Sequence, residues 1–156
     1  MLLRMSKTQW VSYRGRGFWA YSFGLGALLG RVVDEFDNRY PDVDQDLLRQ
    51  DCCMAIEVGG SGLGFEIGRE WTVKDLERFA ECLSDACVKL ESEPTTTLEE
   101  TEAFGSRLEK SETPTAPIVE LGRAIQALMN GDLPEPPAGR MWMYGAPEGR
   151  ITLAHG

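Results

Sequence analysis

Apolar residues recur at steps of three and four between Trp71 and Leu90, which is the clearest pattern in the chain. The spacing places them on one stripe of an α-helix and leaves the charged residues on the other side. Thr72 is a natural N-cap, and Asp75 lies where a carboxylate completes a capping box. Because a helix this one-sided needs a partner surface, the stretch predicts a packed core around it.

Three further segments have helical spacing, namely residues 21–40, 42–57 and 115–130. The first contains three glycines, each of which costs about 1 kcal/mol in a helix relative to alanine. The second begins among acidic residues, which suit a helix N-terminus. The third has Thr115 as its N-cap and Gly131 just after its last turn, so all three segments are predicted helices.

The remaining apolar pattern favours short extended segments. Residues 9–21 hold two aromatic runs around the sequence RGRG, which fits a β-hairpin and a loop leading into the first helix equally well. Residues 63–67 alternate apolar residues with glycine and glutamate, and 141–144 and 151–153 are apolar runs separated by a turn signal. These three segments predict short strands.

Residues 91–113 have a different composition, with seven acidic residues against Arg107 and Lys110 and three consecutive threonines. This composition predicts a mobile acidic loop. Residues 1–7 are expected to be frayed. The remaining segments predict a single domain over residues 1–156 that is mostly α-helical, with about four helices and short strands from the termini and residues 63–67. An α+β arrangement stays open. At 42% hydrophobic residues, the chain can bury the core that one such domain requires.

The formal net charge of −9 narrows the class of partner. A nucleic-acid-binding protein needs clustered Lys and Arg against phosphate, so this acidic chain is not expected to bind nucleic acid. The same charge favours a basic protein partner. The longest uncharged run, residues 17–30, is too short and too rich in glycine to span a membrane. With no secretory leader recognised, the chain is expected to be cytoplasmic with reduced thiols.

The cysteines do not have the spacing of a metal site. Cys52 and Cys53 are adjacent, Cys82 and Cys87 are five apart, and the one histidine, His155, is the penultimate residue. Zinc sites pair their ligands at a spacing of two to four residues and often use imidazole. The cysteines are therefore expected to be buried structural residues, and no metal is expected.

Two other motifs fail in the same way. The sequence DVDQD at 42–46 resembles the start of a calcium loop, but Leu47 and Cys53 occupy the positions that require glycine and glutamate. Helix capping accounts for these acids. The glycine-rich residues 59–64 lack the lysine of a phosphate-binding loop, so they are expected to form a flexible turn.

Catalytic groups are also scarce. A serine or cysteine nucleophile would have to recruit His155 as its base, and the abundant carboxylates single out no acid–base pair. We therefore expect no enzymatic activity and no cofactor.

Large aromatic residues concentrate near both ends of the chain, with Trp10 and Trp19 at one end and Trp142 and Tyr144 at the other. Such residues usually close a core. They also anchor protein interfaces together with arginine, and Arg14, Arg16 and Arg140 lie among them. Both interpretations are kept.

The runs WVSYRGRGFWAY and TAPIVELGRAIQALMNGDLPEPPAG, the latter followed by MWMYGAPEGR, resemble a group of small uncharacterised bacterial proteins. These stretches cover somewhat under half of the chain, and the group supplies no catalytic motif. In size and charge the chain also resembles the immunity proteins of bacterial polymorphic toxin systems. The resemblance implies a binding protein that neutralises a toxin rather than an enzyme.

The leading hypothesis is therefore an immunity-type inhibitor that occludes the active site of a basic toxin domain. The residues predicted to bind the partner are Asp42, Asp44, Asp46, Glu99, Glu100, Glu102, Trp142 and Tyr144. One alternative is a small enzyme or ligand-binding domain with a pocket beside residues 59–64. The other is a self-associating structural protein built on the terminal aromatics.

Overall fold

The computed structural model describes residues 8–42, 47–57, 64–101 and 108–154. The described residues contain four helices: α1 Ser22–Arg39, α2 Leu47–Glu57, α3 Val73–Glu91 and α4 Ala116–Asn130. They also contain seven strands: β1 Thr8–Tyr13, β2 Arg16–Tyr21, β3 Phe65–Glu66, β4 Thr95–Thr101, β5 Leu108–Pro114, β6 Arg140–Tyr144 and β7 Ile151–Ala154.

The helices follow the sequence pattern closely, except that Thr115 does not cap α4 as predicted, since its side chain makes no capping hydrogen bond. The capping box of α3 is confirmed: the Asp75 amide donates to Thr72 Oγ1 and the Thr72 amide donates to Asp75 Oδ2, both at 3.1 Å. Gly131 ends α4 in the left-handed conformation with φ of 79°, which glycine adopts without strain. α2 is described from Leu47, whereas Asp44 and Asp46 lie outside the described residues.

The larger sheet has the strand order β3-β1-β2-β6-β7. β1 and β2 are antiparallel, so the hairpin alternative for residues 9–21 is confirmed. Its turn places Arg14 and Gly15 at φ of 51° and 81°, the positive pair that tight hairpin turns require. β2 pairs in parallel with β6, and β7 returns antiparallel to β6, so the two ends of the chain form one sheet.

Two predictions about secondary structure need correction. The four helices and short strands are present, but the fold is mixed α+β, the arrangement left open above, because strands from distant parts of the chain pair into the five-stranded sheet. Within residues 91–113, the described residues 95–101 and 108–113 do not form a loop, because they belong to β4 and β5, which form a second, two-stranded antiparallel sheet. The threonine-rich segment has the β-branched side chains that strands favour. Its polar composition nevertheless led to the prediction of a loop.

The helices cover one face of the larger sheet and enclose the core. α1 is central and packs against α2, α3 and α4, with Phe18, Phe36 and Phe79 among the fully buried side chains. α1 begins close to the turn after β6, since a Cβ on Gly24 would stand 2.5 Å from the Gly145 carbonyl oxygen. Among the described helices, none combines the length and apolarity needed to cross a membrane.

Candidate functional site

The larger sheet carries apolar side chains on both of its faces. Val11, Phe18 and Ala20 point toward the helices and are fully buried. The alternate positions point the other way, and they hold Trp10, Trp19, Met141, Met143, Ile151 and Leu153. A sheet with one covered side normally alternates apolar with polar residues. This second apolar face, which we call the outer sheet face, is therefore a candidate binding surface.

The six residues form an ordered array in which Met143 is 7% exposed and the other five are half-buried. Strand pairing aligns Trp10, Trp19, Met143 and Ile151 in one row across four strands. The two indole rings meet edge to face with centroids 5.1 Å apart. Trp10 also lies over Gly17, where a Cβ would approach the indole to 2.9 Å. The absence of a side chain at Gly17 therefore leaves room for the Trp10 indole.

The predicted partner-binding aromatics Trp142 and Tyr144 belong to the other face. Tyr144 is 4% exposed and packs edge to face on Phe18 with centroids 4.9 Å apart. Burial raises the pKa of its hydroxyl above the ordinary value. The ring of Tyr144 completes the core and therefore presents little surface to a partner.

Trp142 is half-buried by neighbouring parts of the same chain. Its indole N–H donates to the Pro134 carbonyl oxygen at 2.7 Å, and the Arg150 guanidinium lies 4.1 Å from the ring centroid. For Trp142 and Tyr144 the core-closing interpretation of the terminal aromatics holds. Trp10 and Trp19 instead point outward, and they are not among the residues predicted to bind the partner.

The smaller sheet of β4 and β5, which we call the acidic ribbon, carries two of the acidic residues predicted to bind the partner. Glu99 and Glu100 lie on β4, opposite Lys110 and Glu109 respectively. Glu102 lies outside the described residues. Counting both strands, the acidic ribbon has four glutamates and one lysine. Within the described chain its outer edges pair with no further strand.

A bidentate ion pair fixes the acidic ribbon to α1. Arg31 donates to both carboxylate oxygens of Glu93 at 2.7 and 2.8 Å, and also to the Thr96 hydroxyl at 3.2 Å. The hydrogen bonds from Arg31 hold the pKa of Glu93 below its ordinary value, and those to Glu93 raise the pKa of Arg31. The Thr115 hydroxyl donates to the Glu93 carbonyl, which ties the other strand to the same point.

The acids near α1 and α2 are largely engaged within the chain. Asp37 accepts two bonds from Arg49, at 2.8 and 3.1 Å. Glu35 pairs with Lys89, and Asp51 accepts the Trp71 indole N–H at 2.6 Å. Asp42 is exposed in the turn after α1. The acidic ribbon is consequently a stronger candidate for a basic partner than this region.

The cysteines match the prediction of buried structural residues in three of four cases. Cys52, Cys82 and Cys87 are buried, and Cys53 is half-buried. Burial raises the pKa of Cys82 to about 11 and also raises that of Cys87. Both thiols are therefore protonated at neutral pH, whereas a nucleophile or a metal ligand requires the thiolate.

The described residues contain no group of three His, Cys, Asp or Glu side chains positioned to hold a metal ion. The alternative hypothesis places a ligand pocket beside residues 59–64, of which residues 59–63 lie outside the described chain.

Comparison with known proteins gives no relative: no protein family, curated protein or solved structure matches this chain.

Proposed function

We propose that this protein is an immunity-type inhibitor, a protein-binding domain that places its acidic ribbon in the active-site cleft of a basic toxin. The observation that carries the proposal is the anchored acidic ribbon itself. Its strands of seven residues reach roughly 23 Å at strand rise, which is long enough to enter an enzyme cleft. Clefts that bind nucleic acid are basic, so their positive electrostatic potential attracts an acidic ribbon as well as the nucleic-acid substrate.

The contacts of the acidic ribbon support this role. Its described contact with the rest of the domain is chiefly α1 against β4, near the base. The Arg31–Glu93 pair fixes the root of the ribbon, and such anchoring lowers the conformational entropy lost on binding. The unpaired edge of either strand also offers main-chain groups to a partner strand.

The test begins with the partner recovered by affinity capture from the native host and then measures association kinetics. The triple variant Glu99→Lys, Glu100→Lys, Glu102→Lys is expected to slow association about tenfold or more at low salt and to flatten the salt dependence. The matched control is Glu77→Lys, Asp132→Lys, Glu148→Lys, which reverses three acids outside the acidic ribbon, at exposed positions.

Both triple variants change the net charge by the same amount, so a general charge effect would slow both equally. That result would show that the acidic ribbon is not the contact site. A toxin that remains active in the fully bound complex would contradict occlusion.

A further inference from the structure

We propose that the outer sheet face forms a twofold homodimer in which the aromatic half of one copy packs on the aliphatic half of the other. This inference goes beyond the inhibitor function and uses a different surface. β1 and β2 contribute Trp10 and Trp19, whereas β6 and β7 contribute methionine, isoleucine and leucine. The border between the two halves runs between β2 and β6.

A twofold axis along that border makes the face complementary to itself. The axis would place Trp19 of one copy opposite Met143 of the other, and Trp10 opposite Ile151. Flexible thioether side chains fit well against indole rings and interact favourably with them. Two sheets that pack face to face keep their strands within about 30° of each other and bury interdigitated side chains. Each contact would occur twice, as in any isologous interface.

The charge distribution also favours a second copy over a basic partner. On β1, β2, β6 and β7 the strand positions of the outer sheet face hold no acidic or basic residue; they are Thr8, Trp10, Ser12, Gly17, Trp19, Tyr21, Met141, Met143, Ile151 and Leu153. The carboxylate of this face is Glu66 on the edge strand β3, which pairs with Ser12. Two copies that each carry a net charge of −9 repel least where they meet through a face with so few charges.

The size of the face determines the strength of the dimer. Four strands spaced about 4.8 Å apart, each rising about 3.3 Å per residue, give a projected area of roughly 300 Å² per copy. This area falls short of the roughly 800 Å² per partner in a standard stable interface, and the large side chains on the face are half-buried or buried. We therefore expect a reversible dimer with a dissociation constant of roughly 10 to 500 µM.

The first experiment is sedimentation velocity of the unmodified full chain from about 10 µM to about 1 mM, a range that spans this affinity. The expected result is a weight-average mass that rises from monomer toward dimer. A strict monomer throughout the range would overturn the proposal. This measurement does not depend on how any variant folds.

The second experiment tests the arrangement with charge. Ile151→Lys and Trp10→Glu are each expected to be monomeric, because each homodimer would bury two unpaired charges. An equimolar mixture is expected to form a heterodimer, since the introduced ammonium and carboxylate then face each other once and the native Trp10–Ile151 contact remains. Circular dichroism checks that each variant is folded. Folded variants whose mixture stays monomeric would overturn the arrangement.

Val88→Lys is the matched control, because Val88 is an exposed apolar residue on α3, 57% accessible. It is expected to dimerise like the unmodified chain, and dimer loss in this variant would show that the outer sheet face is not responsible. The inhibitor function is tested separately, because the monomeric variants are expected to bind the captured partner through the acidic ribbon with unchanged affinity. An unmodified chain that dimerises but binds no toxin would instead count against the inhibitor function alone.

Discussion

Arg31 on α1 and Glu93, two residues beyond the end of α3, form a bidentate ion pair that determines where the acidic ribbon leaves the domain. The planar guanidinium matches both carboxylate oxygens at once, which fixes direction as well as distance. Because Glu93 precedes β4 by only one residue, Pro94, the pair acts on the root of the acidic ribbon. The pair therefore orients the ribbon more than it stabilises the fold.

Arg31→Lys is expected to loosen the acidic ribbon while leaving the domain folded. A lysine keeps the charge but cannot make the parallel pair of hydrogen bonds. Since the pair is partly exposed, with side-chain accessibilities of 30% and 38%, the free energy of unfolding should fall by less than about 1 kcal/mol. Amide hydrogens of β4 and β5 should exchange about two- to fivefold faster, because a loss of less than about 1 kcal/mol in the free energy of local opening raises the exchange rate by that factor. Hydrogen exchange read by mass spectrometry measures this.

Arg49→Lys provides the control, because Arg49 makes a comparable bidentate pair with Asp37 between α2 and α1. It should leave exchange in the acidic ribbon unchanged. Equal acceleration in both variants would mean that the Arg31 pair has no special effect on the ribbon.

The same ion pair predicts a defined dependence of stability on pH. The lowered pKa of Glu93 means that the folded chain holds this carboxyl ionised to lower pH than the unfolded chain does. The stabilisation is therefore fully present above the unfolded value, near 4.5, and is lost as the pH falls through the lower folded value. The difference in unfolding free energy between the unmodified chain and Glu93→Gln should shrink across that window. Urea unfolding at a series of pH values measures it.

Glu77→Gln, at an exposed position of α3, controls for the removal of one carboxylate. Its difference from the unmodified chain should stay small over the same pH range. A Glu93→Gln difference that does not change on acidification would show that the ion pair contributes nothing to folding.

The helices were predictable because their signals are local. The capping box of Thr72 and Asp75 and the terminal Gly131 each lie within one turn of the helix end that they determine, so neighbouring residues suffice to locate it. The candidate glutamates were predictable only as a composition. Their placement on an anchored ribbon depends on Arg31, which is remote in sequence from Glu99.

The outer sheet face could not be found from local pattern. Both faces of β6 are apolar, so the run MWMY shows no alternation from which its sides could be distinguished. The parallel pairing of Trp19 with Met143 joins the two ends of the chain, and only tertiary structure shows it. The position of Trp10 and Trp19 one step from the buried Val11 and Phe18 was the available signal.

Gly122 on α4 is expected to resist substitution although alanine is the better helix former. A Cβ at this position would overlap the Cys87 Sγ of α3 and would stand 3.4 Å from Leu28 of α1. Gly122→Ala should therefore lower the free energy of unfolding by about 1–3 kcal/mol, despite a propensity gain of about 1 kcal/mol. Thermal or urea unfolding measures the net change.

Gly26→Ala is the matched control, because a Cβ on Gly26 of α1 would meet no atom within 4 Å. It should stabilise the fold by about 0.5–1 kcal/mol through propensity alone. In a Cys87→Ala background the cost of Gly122→Ala should largely disappear, since the overlapping sulfur is gone. An unchanged cost in that background would place the strain elsewhere.

Gln9 is a buried amide whose replacement should stabilise the protein. It is 1% exposed on β1, on the same face as Val11, and among the described residues neither its Oε1 nor its Nε2 has a hydrogen-bond partner. Burial of an unsatisfied amide costs roughly 1–3 kcal/mol. Gln9→Met keeps the length of the side chain and removes the polar atoms, so the free energy of unfolding should rise by about that amount.

Gln126→Met serves as the control, because the Gln126 amide oxygen accepts a hydrogen bond from Arg123 at 3.0 Å. That variant should be neutral or slightly destabilised, since it breaks a satisfied contact at a half-buried position. If Gln9→Met instead lowers stability, the amide has a partner in solution. If it raises stability, the buried amide of Gln9 destabilises the native fold. The same substitution then supplies a more stable background in which to test the outer sheet face and the acidic ribbon.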